Sequence, residues 1–335
     1  ARIAKKLLLL GGRDDIEVAA GERGEQSQPQ RNPEAGHEDE MLGEVTGDLL
    51  LSDRDAVTLL LEECEARGYE VATVGMQSNI AAALGRDASF AQTLPRLAVM
   101  GGVFAPVDFL GVTLPPSIDH NLNVDQPASL RALSAGIPTL YVPGDVTMGT
   151  WLTASHLDQL RKGDALCREL ARQIDIWTVR LRASARGLVP PEYVALLHDP
   201  LTVACMIDSG RRFVTSQTVR VTVAMHHGHV RTFIDPAAGH EAEIITSVDA
   251  PAFAASRHAR TGHRHAHTGR RHASPHQPRT RCSCGDCRPR TAPLLAGLGP
   301  WAARRRDHSR AAAVLRQQCV AHAGTDRRAR RVRGR

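Results

Sequence analysis

A histidine and an aspartate, His198 and Asp199, stand side by side in a segment whose other residues are almost all apolar. Burying a carboxylate is costly unless a cation or hydrogen-bond donors compensate it, so Asp199 is expected to face a metal ion, a basic group or a wet cleft. An imidazole titrates near neutral pH and can move a proton. Two interpretations stay open at this point: a reactive site, or an aspartate that only caps a helix opened by Pro200.

Charge divides the chain in two. Residues 1–250 contain 22 Lys and Arg against 33 Asp and Glu, whereas residues 251–335 contain 20 against 3. We predict one domain over 1–250, followed by a basic, His- and Arg-rich, disordered tail over 251–335. The acidic domain gives no reason to expect specific nucleic-acid binding. The tail has the composition of a genuine basic segment and also that of a shifted reading frame in GC-rich DNA, and both origins stay open.

The sequence gives no sign of a membrane or secretory segment. It contains no run of about 18 apolar residues, and the leucines at 7–10 are too few for a signal peptide. We therefore expect a cytoplasmic protein. Cys64, Cys167 and Cys205 stand singly in apolar or helical segments, which indicates reduced, buried thiols rather than disulfides.

Apolar runs bounded by glycine or proline alternate with segments of helical periodicity, which predicts an α/β fold. The predicted strands are 70–74, 96–100, 138–142 and 218–223. The predicted helices are 56–67, 78–84, 126–135, 154–162, 165–174 and 200–207. Short connections favour an open, mostly parallel sheet with helices on both faces. Ligands bind such sheets beyond the carboxyl ends of the strands, so the loops after Val74, Met100 and Val142 are candidates for a site.

Two of these loops contain glycine at the end of a strand. Val74-Gly75 gives a tight turn, after which Ser78 or Asn79 can cap the next helix. The pair at 101–102 would let a ligand approach the backbone, although any sharp turn has the same requirement.

A cluster of acids and amides precedes the helix predicted at 126–135. Asp125 is best interpreted as the N-cap of that helix. Asp119 and Asn121 are two residues apart, so an extended segment would point both the same way. Their acceptor and donor groups suit sugar hydroxyls, but a plain polar turn stays open as the alternative.

Taken together, these segments resemble the inosine-uridine preferring nucleoside hydrolase family. They occur in the family's order and near its spacing: Val74-Gly75 with Ser78-Asn79, then Val99-Met100-Gly101-Gly102, then Asp119-His120-Asn121 with Asp125, and His198-Asp199-Pro200 with Ala204. The resemblance covers roughly residues 7–250.

The resemblance implies a nucleoside hydrolase-like α/β fold and hydrolysis of the N-glycosidic bond of ribonucleosides to ribose and free base. It also implies a bound Ca²⁺, a ribonucleoside substrate as partner and a homo-oligomer. By position, Asp199 is similar to a calcium ligand that also reaches a ribose hydroxyl. Val74 is similar to the residue whose backbone carbonyl binds the same ion.

The resemblance also implies catalytic and substrate-binding residues. His198 is similar to the histidine that assists departure of the base. Asn121 resembles a ribose-binding amide, and Asp119 resembles the acidic residue at the 5′ side of the sugar. Met100 corresponds to a residue near the ribose.

Two features depart from the family's pattern. Family members open with a strand and an acidic DxDPGxDD-type motif that supplies most calcium carboxylates. We predict that this chain lacks that strand, the following helix and the motif, because Asp14-Asp15 have no third aspartate at the required spacing. Thr113 stands where the family has an asparagine. With Asp199 as one carboxylate where three are expected, an active ribonucleoside hydrolase and a non-catalytic nucleoside- or sugar-binding remnant both stay open.

Overall fold

The structure, a computed structural model, describes residues 1–24, 38–45, 48–116, 118–185, 188–207, 211–261 and 314–315. The strands are β1 (Val71–Thr73), β2 (Leu97–Met100), β3 (Val107–Phe109), β4 (Val112–Leu114), β5 (Thr139–Val142), β6 (Trp151–Thr153), β7 (Tyr193–Leu196), β8 (Val214–His226), β9 (His229–Ile234), β10 (His240–Val248) and β11 (Val314–Leu315). The helices are α1 (Arg2–Leu10), α2 (Glu38–Leu42), α3 (Ala56–Arg67), α4 (Ser78–Arg86), α5 (Phe90–Thr93), α6 (His120–Val124), α7 (Gln126–Leu133), α8 (Gly144–Thr147), α9 (Ala154–Arg161), α10 (Ala165–Ser184), α11 (His198–Met206) and α12 (Ala250–Thr261), with a 3-10 turn at Arg211–Phe213.

The main sheet has seven strands in the order β11-β1-β2-β5-β10-β8-β9. Neighbours from β11 to β10 run parallel, whereas β8 pairs antiparallel with both β10 and β9. The predicted open, mostly parallel α/β sheet is therefore confirmed. Its antiparallel part is larger than the predicted strand at 218–223, because β8 is 13 residues long and two further strands flank it.

The sheet is covered on both faces, as predicted. Successive residues of a strand point to opposite faces, and in β1 Val71 joins one core cluster while Ala72 joins the other. Leu97 and Ala98 of β2 divide in the same way. The first cluster includes residues of α3, α4 and α7, and the second includes residues of α9, α10, α11 and α12. This double burial explains why β2 is apolar throughout and why β1 has no exposed residue, its one polar residue, Thr73, being buried.

Helix ends follow local signals where those signals are strong. The prediction for 56–67 is confirmed at both ends by α3, where the Asp55 side chain accepts from the Thr58 N–H at 2.8 Å and Gly68 adopts a left-handed φ of 61°. By contrast, α10 continues to Ser184, ten residues beyond the predicted end. Its later turns remain buried on one side, at Thr178 and Leu181.

The last described helix of the domain, α12, begins at the boundary predicted near residue 250. Phe253 and Ala254 are buried and belong to the second core cluster. Beyond Thr261, the predicted tail lies outside the described residues except for β11, which pairs with β1. The division of the chain at residue 250 stays a prediction.

Two further expectations concern the described residues. None of their helices is both long and apolar enough to cross a membrane. Cys64, Cys167 and Cys205 are buried and form no disulfide. Burial raises the pKa of the Cys64 and Cys205 thiols to about 11.

Charged side chains attach α1 to α10. Glu169 of α10 accepts from Lys6 at 3.1 Å and from Arg172 at 2.8 Å, and its side chain is 12% exposed. Gln173 donates to the same carboxylate. The Arg172 guanidinium, followed by Gln173 and Lys6, lowers the pKa of Glu169 to about 2.

We expect Glu169→Gln to lower the free energy of unfolding by about 1–3 kcal/mol at pH 7, because the ionised carboxylate is stabilised only in the folded state. Its folded pKa lies below its unfolded value, so the stabilisation is complete above about pH 4.5 and is lost as the pH falls toward 2. Urea unfolding at pH 7 and pH 3 measures this difference.

The matched control is Asp158→Asn. It breaks an exposed ion pair between Asp158 and Arg161, which both belong to α9. That change should cost less than about 0.5 kcal/mol. Equal effects of the two substitutions, or a Glu169→Gln effect that does not shrink at low pH, would contradict the assignment.

Candidate active site

The loops that follow β1, β2 and β5 meet at one edge of the sheet. The Gly144 N–H donates to the Gly102 carbonyl at 2.9 Å, which joins the loop after β5 to the loop after β2. Gly102 has a φ of 84°, and a Cβ there would lie 3.1 Å from the Thr232 hydroxyl. That hydroxyl bonds both the N–H and the carbonyl of Val103. The backbone of the loop after β2 is therefore held by the loop after β5 and by Thr232 of β9.

Two of the predicted substrate-binding residues contact each other. The Asn121 side-chain amide donates to the Met100 carbonyl at 3.0 Å and lies 3.2 Å from the Met100 sulfur. Both side chains are buried. The pair joins α6 to the carboxyl end of β2.

Asp119 lies next to this pair. It is the N-cap of α6, where its carboxylate accepts from the Leu122 N–H at 2.8 Å. The same oxygen would be 3.4 Å from a Cβ on Gly101. The structure therefore brings Asp119, Asn121 and Met100 together, and gives Asp119 a capping role that the sequence did not predict.

A buried pair supports the next helix. Asp125 caps α7 as predicted, accepting from the Ala128 N–H at 3.1 Å. Its other oxygen accepts from the Ser78 hydroxyl at 2.6 Å. The prediction that Ser78 or Asn79 caps α4 is wrong, because Gln77 is the N-cap residue, and the Asn79 side chain accepts from the Glu22 N–H instead.

His198 is the first residue of α11, and its ring contacts the loop after β5. Its Nδ1 lies 2.7 Å from the Thr147 hydroxyl. Burial lowers the pKa of His198 to about 4, so the ring is neutral at pH 7. Sequence reasoning gave Thr147 no role. The only signal for it was its place one turn beyond β5, in a loop already identified as a candidate.

Asp199 is the second residue of α11 and is partly buried. The helix begins at His198 with Leu197 as its N-cap residue and without a side-chain cap, so the capping interpretation of Asp199 is wrong. A carboxylate in the first turn is favourable to the helix dipole. α11 packs against β1, β2 and β5, which places its first turn at the same edge of the sheet as the loops.

Among the described residues, the oxygens at this edge do not make up a calcium site. Calcium takes six to eight oxygen ligands, whereas the predicted ligands give one carboxylate, from Asp199, and one carbonyl, from Val74. Gln77 adds a buried Oε1 that makes no hydrogen bond to the described residues. No group of three or more His, Cys, Asp or Glu suited to a metal occurs in the part of the chain that the structure describes.

Comparison with known proteins identifies the family. The family model described as inosine-uridine preferring nucleoside hydrolase matches residues 1–255. The chain belongs to this family. The resemblance inferred from the four loop segments is thereby confirmed.

Solved nucleoside hydrolases share the fold. A purine-preferring ribonucleoside hydrolase from Gardnerella vaginalis superposes with a TM-score of 0.64 at 21% identity, covering 78% of this chain and 84% of that one. A plant nucleoside hydrolase gives 0.61 at 21% identity, covering 75% and 82%. An inosine-guanosine nucleoside hydrolase gives 0.60 at 20% identity, covering 77% and 85%. At these identities the likeness shows the nucleoside hydrolase fold.

A curated relative is an uncharacterized protein of Schizosaccharomyces pombe, 27% identical over 162 residues. The match covers 47% of this chain and 50% of the relative, so the chain spans about half the length of that protein.

The buried Ser78–Asp125 pair gives a test of the edge architecture. We expect Asp125→Ala to lower the free energy of unfolding by about 2–4 kcal/mol, because it removes a helix cap and leaves the Ser78 hydroxyl unpaired. Asp55→Ala removes an exposed cap of the same kind from α3 and should cost clearly less than Asp125→Ala. Chemical denaturation of both variants compares the two, and equal costs would show that the Ser78 contact contributes nothing.

Proposed function

We propose that this protein hydrolyses the N-glycosidic bond of ribonucleosides, releasing ribose and the free base. The observation that carries the proposal is the position of His198, held by Thr147 at the edge of the sheet where the loops after β1, β2 and β5 meet. The Met100–Asn121 pair lies at the same edge. Family membership and the nucleoside hydrolase fold support the same activity.

Each proposed residue has a chemical task. Cleavage passes through a sugar with oxocarbenium character, which a nearby carboxylate such as Asp199 stabilises. The leaving base gains electron density, and His198 is the donor that meets it. Asn121 and Asp119 would bind ribose hydroxyls, with Met100 packed beside the sugar.

Calcium, with Asp199 and Val74 as its ligands, stays a prediction. Because the described oxygens do not make up its coordination shell, we assign Asp199 to the sugar and derive no step through a metal. The cytoplasmic location and the homo-oligomer expected from the sequence also stay predictions.

The proposal predicts release of ribose and base from inosine or uridine by the purified chain. His198→Ala should lower kcat/KM by about 100- to 10,000-fold, the range expected when the donor to the leaving group is lost. His240→Ala is the matched control, because His240 is exposed on β10, and it should retain full activity. Reducing-sugar and base assays measure both, with a thermal melt to establish that each variant is folded. Folded wild-type protein without release from either nucleoside would refute the activity.

A second candidate function is nucleoside or sugar binding without catalysis. The shortage of metal ligands among the described residues favours it. Calorimetric binding of inosine or ribose to folded protein that releases no base would establish this candidate in place of the first.

Calcium binding can be tested apart from activity. We expect calcium at about 1 mM to raise the melting midpoint by less than about 1 °C, because one carboxylate and one carbonyl form a weak site. A larger rise that chelator reverses and that Asp199→Asn abolishes would contradict this expectation and support the calcium site predicted from the sequence.

A further inference from the structure

A short segment of the chain contacts both the ring of His198 and the backbone of the residue before it. The Leu197 N–H, at the start of α11, donates to the Thr150 carbonyl at 2.8 Å. Three residues before Thr150, the Thr147 hydroxyl lies 2.7 Å from Nδ1 of His198. The end of α8 and the turn after it therefore hold both the start of α11, through Leu197, and the ring of His198, through Nδ1.

That segment is itself rigidly placed. The Thr147 N–H donates to the Pro143 carbonyl at 3.0 Å. At the other end of α8, the Asp145 carboxylate accepts from the Phe104 N–H at 2.9 Å, which attaches the helix to the loop after β2. Thr147 is fully buried. The contacts of α8 with the loops at this edge therefore determine where the Thr147 hydroxyl lies.

The hydrogen-bond partners of Thr147 indicate which group donates in its contact with His198. The His198 ring is the only partner of the Thr147 hydroxyl among the described residues. A buried hydroxyl proton without an acceptor is costly, so the hydroxyl is expected to donate to Nδ1 rather than accept from it. Nδ1 is then unprotonated, and the ring proton of the neutral imidazole is on Nε2. Nε2 makes no hydrogen bond within the part of the chain that is described.

We propose that Thr147 is a positioning residue that holds His198 in the Nε2–H tautomer and directs that N–H to the leaving base. This inference rests on the proposed function. As the bond from the sugar to the base breaks, its electron pair goes to the base, whose developing negative charge accepts a hydrogen bond from Nε2–H. Water bonds through its oxygen to C1′ of the sugar and releases one proton, and the base takes up one proton from solvent. A neutral imidazole that acts as a hydrogen-bond donor is an established catalytic arrangement.

Two substitutions separate the hydroxyl from the shape of the side chain. Thr147→Val keeps the buried volume and removes the donor, whereas Thr147→Ser keeps the donor. We expect Thr147→Val to lower kcat for inosine by about 10- to 100-fold with KM changed less than about 3-fold, and Thr147→Ser to stay within about 3-fold of wild type. A melting curve for each variant establishes that it is folded.

The leaving group gives a readout that a merely structural role would not produce. 4-Nitrophenyl riboside has a leaving group that needs no donor, so Thr147→Val should hydrolyse it within about 3-fold of the wild-type rate. An equal loss with both substrates would overturn the positioning role. Unchanged inosine hydrolysis by folded Thr147→Val would also overturn it.

The tautomer can be measured in the protein without substrate. ¹⁵N NMR of histidine-labelled protein distinguishes Nε2–H from Nδ1–H, and the His198 signals among the 16 histidines are those missing from His198→Gln. We expect Nε2–H in the wild type and in Thr147→Ser, and a mixture in Thr147→Val. An Nδ1–H ring in the wild type would overturn the inference. Because this measurement requires no hydrolysis, it decides the role of Thr147 even if the proposed activity fails.

Discussion

Burial of the central parallel strands on both faces is the constraint on which the rest of the structure depends. Residues of β1, β2 and β5 enter the two core clusters alternately, so none of their side chains can carry an exposed polar group. Polar chemistry is then confined to the ends of the strands. The loops that follow Val74, Met100 and Val142 carry it, and backbone hydrogen bonds join the last two of these loops.

At this edge, buried and partly buried polar groups bond to each other. Asn121 bonds to Met100, Asp125 to Ser78 and His198 to Thr147. Burial requires such pairing, since an unpaired polar group in the interior is costly. The same pairs fix the side chains in advance, which is what a catalytic site needs in order to stabilise charge without rearranging. If the proposed function holds for these residues, the pairs that burial requires would also position them for it.

The antiparallel part of the sheet closes one side of the edge. The Asn123 amide group exchanges two hydrogen bonds of 2.9 Å with the backbone of Val230 in β9, much as a neighbouring strand would. Gln126 donates to the Gly228 carbonyl in the turn that precedes β9. The hairpin of β8 and β9 thus holds the segment that carries Asp119 and Asn121.

The sequence by itself determined the elements whose signals are local. α3 lies at the predicted residues because Asp55 and Gly68 mark its ends. The ends of the first three predicted strands are confirmed to within one residue, because continuous apolar runs favour doubly buried strands. The order and spacing of the loop motifs were enough to indicate the family. Tertiary structure alone decided how the polar residues pair. Ser78 bonds to Asp125, 47 residues away, and Thr147 to His198, 51 residues away. No local pattern specifies such partners, because they meet only after the crossover connections bring the ends of distant strands to one edge.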